Sequence, residues 1–250
     1  MGFGYDWRPY VSVAERRARA ARELAKLAKK TGPAPAPVRV EGRVIATTFW
    51  GQAWCENLER YSDFANRLPR GRTYVRNGSV VDLRIEPGAV RARVAGSELY
   101  TVDIAIRRLA AARWRAVKKA CTGRIGSLVG LLRGKLSDDV LAVLARPGTG
   151  LFPEPKDIAM DCSCPDWAGM CKHVAATLYG VGARLDNQPE LFFALREVDQ
   201  AELLSAATVL PAPRGKGRKV KQIADDDLGA VFDIELDQAP APPPRRARKR

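Results

Sequence analysis

Residues 162–173 read Cys-Ser-Cys-Pro-Asp-Trp-Ala-Gly-Met-Cys-Lys-His, and the rest of the chain is arranged around them. Three of the five cysteines and the single histidine fall here, as Cys162-x-Cys164-x6-Cys171-x-His173. Three thiols and an imidazole at two short spacings are the donor set of a tetrahedral Zn²⁺. Upstream, 157–162 alternates polar and apolar residues in the manner of a strand. On a strand, positions i and i+2 share a face, so Cys162 and Cys164 can present both thiolates to one ion. Pro165 and Gly169 bound a turn. Residues 174–185 are rich in Ala, Leu and Val and read as a helix. Ligands at i and i+2 in mid-helix would point about 200° apart. The spacing therefore predicts Cys171 just ahead of the helix and His173 in its first turn. The free N–H groups and positive dipole of that end favour thiolates.

Two rival readings use the same residues. A Cys-x-Cys pair can exchange disulfides, and Cys171 with His173 can act as nucleophile and base. Neither accounts for all four groups together, and the sequence holds no second histidine as a spare base. Three cysteines and one histidine fill the coordination shell, so one structural Zn²⁺ is expected.

The pattern Cys-x-Cys-x6-Cys-x-His followed by an apolar helix resembles the SWIM-type zinc finger, over about 157–185. Phe-Trp-Gly-Gln-Ala-Trp-Cys at 49–55, Arg-Leu-Pro-Arg-Gly-Arg-Thr-Tyr-Val-Arg-Asn-Gly at 67–78 and Cys-Pro-Asp-Trp at 164–167 extend the likeness to a bacterial SWIM zinc-finger family across most of 1–210. The resemblance implies binding to DNA or to protein partners, among them a Swi/Snf-type ATPase, and identifies no reaction.

Composition narrows the classes. Hydrophobic residues make up 46% of 250, enough for a substantial core. The longest apolar run, 174–183, is too short to cross a bilayer. No signal peptide opens the chain, and Asp6 breaks a myristoylation motif. The expected location is therefore cytoplasmic, where thiols stay reduced and favour metal over disulfides. A net charge of +14 suits polyanions, nucleic acid first and acidic membrane surface second.

Taken in order, Phe3, Tyr5, Trp7 and Tyr10 beside Arg8 read either as an N-terminal strand or as a base-stacking segment. A helix over 11–30 carries Val13, Ala20, Leu24 and Leu27 on one face and mainly basic residues on the other. Its basic face is either solvated or tracks phosphates. Residues 33–37 read as a stiff linker, 43–49 as a strand, and Trp54, Leu58, Tyr61, Phe64 and Leu68 as one helix face. Turn signals at Asn77-Gly78, Pro87-Gly88 and Gly96-Ser97 separate period-two apolar runs, predicting an antiparallel meander of three or four strands. Three helices come next: Trp114, Val117 and Cys121 share a face of the first, Ile125, Leu128, Val129 and Leu132 of the second, and Ser137 caps the third. Cys55 and Cys121 read as core thiols.

The predicted fold class is α+β: an antiparallel meander packed with helices, a small ββα-like zinc module and a disordered basic tail. The expected divisions are 1–37, 38–150, 151–210 and 211–250. In the tail, 225–237 sets apolar residues among acids, reading either as a partner-binding segment or as a last strand of the sheet. The expected function is nucleic-acid binding, DNA foremost and without catalysis, through Arg67, Arg70, Arg72, Arg76 and Lys172. The arginines read as a loop that forks onto phosphates or pairs with Asp63, Asp82 or Glu86. An adaptor for a Swi/Snf-type ATPase or another nucleic-acid enzyme is the second reading. No paired-carboxylate or P-loop motif favours an enzyme.

Overall fold

The computed structural model describes residues 11–31, 34–60 and 66–203. In chain order they form α1 (Val13–Thr31), α2 (Phe49–Glu59), α3 (Leu68–Arg76), β1 (Val80–Glu86), β2 (Ala89–Ala95) and β3 (Leu99–Ile106). Then come α4 (Ala111–Cys121), α5 (Leu128–Leu132), α6 (Asp138–Ala145), β4 (Ile158–Cys162), α7 (Lys172–Leu185) and α8 (Glu190–Leu195). The fold is α+β. The N-terminal aromatics, Tyr61, Asp63, Phe64, the Leu27 side chain and the whole tail with its 225–237 segment lie outside the described residues. Among the described residues no helix is long and apolar enough to cross a membrane.

The meander forms as its alternation requires. Val90, Ala92 and Val94 on β2 and Val102, Ile104 and Ile106 on β3 point to one face and are buried there. Cross-strand pairs such as Val90 with Ile104 and Ala92 with Val102 hold the register. Gly88 turns the first hairpin at φ +67°, a conformation costly to any side chain. A bulge between Val80 and Asp82 turns Val81 to the opposite face. There it meets Ala20 and Leu24 of α1 and Ala95, so α1 docks by a thin stripe on the back of the sheet.

The centre of the protein is α7. Every residue from His173 to Leu185 is buried except Arg184. A helix apolar on all sides is stable only when surrounded, and α2, α3 and the sheet surround this one. Two glycines admit its neighbours. A Cβ on Gly71 of α3 would stand 2.5 Å from the Ala175 Cβ. One on Gly51 of α2 would stand 2.6 Å from the Gly182 carbonyl oxygen and 2.3 Å from Asp186 Oδ1. Trp54 Nε1 donates to the Leu178 carbonyl (2.8 Å) and Trp50 Nε1 to that of Leu131 (3.0 Å), so both indoles are buried without an orphaned donor. Asp186, capping the C-terminus of α7, accepts from the backbone N–H of Thr47 (2.6 Å) and Thr48 (3.1 Å) and from both hydroxyls.

Several expectations change. The segment 43–49 is not a strand, because Asp186 takes the Thr47 and Thr48 N–H groups that a ladder would need. Residues 36–38 instead run along β1, with Val38 N donating to the Val80 carbonyl (3.0 Å) and Leu83 N to that of Ala36 (2.9 Å). The arginine-rich stretch is a helix. Pro69 opens it, and Leu68, Gly71 and Val75 form its buried face. On α5 the buried residue is Leu131, while Leu128 (36%) and Val129 (59%) are exposed; its five residues are too few for a continuous apolar stripe. The Cys/His segment is not a separate module. β4 pairs with β3 as the fourth strand of one sheet, and α7 belongs to the same core cluster as the meander.

The approach of α3 to α7 yields a stability prediction. Gly71→Ala should cost about 2 kcal/mol or more through overpacking. At Gly126 a Cβ meets nothing within 4 Å, so Gly126→Ala should stay within about 0.5 kcal/mol of wild type. Urea unfolding midpoints of the two variants decide this.

Candidate metal centre

Three elements deliver the four ligands. β4 ends at Cys162, and Ser163 ties the chain to β3, its N–H donating to the Thr101 carbonyl (3.0 Å) and its Oγ accepting from Thr101 N (3.0 Å). Cys164 comes next, on the loop. Cys171 is the N-cap of α7, its Sγ accepting from Val174 N (3.5 Å), and His173 lies in the first turn. Cys171 and His173 stand where the spacing predicts, whereas Cys164, expected on the strand with Cys162, lies two residues past its end.

The donor atoms of Cys162, Cys164, Cys171 and His173 all lie within 4.8 Å of one another. His173 Nδ1 is 3.9 Å from Cys162 Sγ and 3.8 Å from Cys171 Sγ. Zn–S bonds of ~2.3 Å and Zn–N bonds of ~2.0–2.1 Å at tetrahedral angles separate such pairs by ~3.6 Å. The four residues therefore fit one metal ion. Hydrogen bonds from the Cys162 thiol, then from His173 and Val174 N–H, bring the Cys171 pKa down to about 3. The Cys162 thiol is held up in turn as the donor to Cys171. Burial instead drives Cys55 up to about 12 and raises Cys121, so these two are core thiols as expected.

The shell around the ligands is aromatic. Tyr100 stacks on the His173 ring (centroids 4.4 Å apart) and Tyr74 meets it edge-on at 5.5 Å. Nδ1 is the His173 nitrogen that faces the sulfurs, while Nε2 is buried with no hydrogen-bond partner among the described residues. Gly96 makes room, since a Cβ there would lie 2.7 Å from the Tyr100 ring and 3.0 Å from Nε2. Asp166 pairs with Arg67 (3.1 Å) and accepts from Ala168 N (3.2 Å), bracing the loop between the ligands.

The five residues expected to meet nucleic acid divide. Arg67 is tied to Asp166. Arg72 pairs with Glu59 (3.4 Å) and lies over the Tyr179 ring. Lys172 stands over Tyr74. Arg70 and Arg76 are exposed. None of the arginines pairs with Asp82 or Glu86, which engage Arg84 and Arg91 instead. Sequence reasoning missed Tyr74 and Asp166, although both stand in the quoted motifs. Tyr100 left no signal, because as a strand residue it looks like any other.

Fold and site together define an α+β protein with a cluster of three cysteines and one histidine that could hold a metal ion. The chain is 32% identical over 231 residues to the uncharacterized protein Rv2102 of Mycobacterium tuberculosis, the match covering 84% of this chain and 82% of that protein, and it belongs to the same family. No family model and no solved structure matches it.

Thiol labelling should distinguish the two environments. At mildly alkaline pH, chelation should open Cys162, Cys164 and Cys171 to alkylation. The thiols of Cys55 and Cys121, packed into the core, should react only as the protein unfolds globally. Peptide mass spectrometry with and without chelator checks the order.

Proposed function

We propose that the chain is a SWIM-type zinc-finger protein that holds one structural Zn²⁺ and binds nucleic acid, DNA foremost, through the surface around the metal loop. The observation that carries the zinc reading is the convergence of four protein donors, three of them soft sulfurs. With four protein ligands no coordination position remains for water or substrate, which suits a structural ion rather than a catalytic one. The nucleic-acid reading is supported by the net charge of +14 and by the exposed Arg70 and Arg76 on the helix beside the site.

Native mass spectrometry should find one zinc per chain, lost in Cys164→Ala. Duplex DNA affinity should fall with salt at a slope near −0.9 per phosphate contacted. Arg70→Ala combined with Arg76→Ala should reduce that slope by about two if each guanidinium meets one phosphate. Arg72→Ala, which breaks the Glu59 pair, should lower stability and leave the slope alone. If residues 211–250 carry all of the salt-dependent binding, the adaptor for a Swi/Snf-type ATPase becomes the better reading.

A further inference from the structure

Trp167 is 95% exposed, more than any other large apolar side chain among the described residues. A tryptophan left in water is uncommon, since indoles contribute most when buried. Its loop is not slack. On one side Asp166 is fixed by Arg67 and by Ala168 N–H; on the other Met170 is buried in the core. Cys164 and Cys171 close the base of the loop at the metal site. The indole is thus held outward between anchored neighbours, and removing it would cost the core nothing.

Its surroundings indicate what it meets. The other exposed large apolar residues, Val11, Val44, Leu128 and Val129, belong to other segments, so Trp167 is not part of an apolar patch on its own loop. A protein interface wants a continuous patch around such an anchor. The elements that carry its loop are polar or basic: Asp166, next to it in the chain, is paired to Arg67 at the N-cap of α3, α3 bears the exposed Arg70 one turn further on, and Lys172, whose ammonium lies over Tyr74, opens α7. An exposed indole on a loop tied to a basic helix suits a single strand, for proteins take single strands with rings that stack on bases and cations that track the backbone. A duplex keeps its base faces covered by stacking and cannot use that ring in the same way.

We propose that Trp167 is a stacking platform for an unpaired base of a single-stranded nucleic acid, with Arg70 and Lys172 taking the neighbouring phosphates. This rests on the nucleic-acid reading above and names the form of the ligand.

The test uses the full, zinc-loaded chain and two probes, an oligothymidylate and a blunt duplex of equal phosphate number. Trp50, Trp54 and Trp114 are buried, and the difference in emission between wild type and Trp167→Phe isolates the signal of Trp167. The oligothymidylate should quench that signal and bind more tightly than the duplex. Trp167→Ala should weaken it on the order of tenfold without changing the salt slope, because a stacked base releases no counterion. Trp167→Phe should recover much of the loss, while Arg70→Ala with Lys172→Ala should reduce the slope. If Trp167→Ala binds the oligothymidylate like wild type, or if wild type prefers the duplex, the stacking proposal is overturned and nucleic-acid binding stands. If wild type binds neither probe, both readings fall.

Discussion

Helix α7 starts at the metal ligands and runs through the core, and the rest of the structure depends on that arrangement. Its N-cap is Cys171, its first turn carries His173, and its later turns are enclosed by α2, α3 and the sheet. A metal at a small peripheral finger contributes its binding energy to a few dozen residues. Here the Cys/His cluster sits at the start of the helix against which the layers pack, so an ion held there would bear on the core as well as on its own loop. The opposite end is fixed as firmly, where the Asp186 carboxylate gathers the Thr47 and Thr48 donors that begin α2.

Close packing around a buried helix also explains two otherwise inconspicuous glycines. Gly51 and Gly71 stand at the points where α2 and α3 touch α7, and each occupies a space that a single methyl group would overfill. The aromatic and arginine residues beside them are placed by those contacts. Trp50 and Trp54 reach backbone carbonyls; Tyr74 reaches the His173 ring; Arg67 reaches Asp166 on the metal loop. Three stretches far apart in the chain thus converge on one helix. Basic charge is divided in the same way, with Arg67 and Arg72 held by carboxylates and Arg70 and Arg76 left at the surface.

Much of the site is legible in the sequence because its determinants are local. The i, i+2 spacings of Cys162 and Cys164 around a strand end and of Cys171 and His173 across a helix start leave few ways to bring four donors together. The meander is legible for a similar reason: side-chain period two and turn residues such as Pro87-Gly88 act over a few positions. The helix over 68–76 is not. Pro69, Gly71 and four arginines argue for a loop when read alone, and only burial of Leu68, Gly71 and Val75 against α7 makes that segment helical.

By itself the sequence determined the candidate Cys/His set, the strands of the meander and the helical character of 174–185, all set by neighbours within a few residues. Tertiary structure alone decided that this helix lies at the centre and not on a separate finger. It also decided that β4 completes the meander sheet, that residues 36–38 line its edge, and that Trp167 faces water while Trp50 and Trp54 do not. Those outcomes depend on which surfaces meet across long sequence separations. An apolar helix states that it must be covered; it does not state by what.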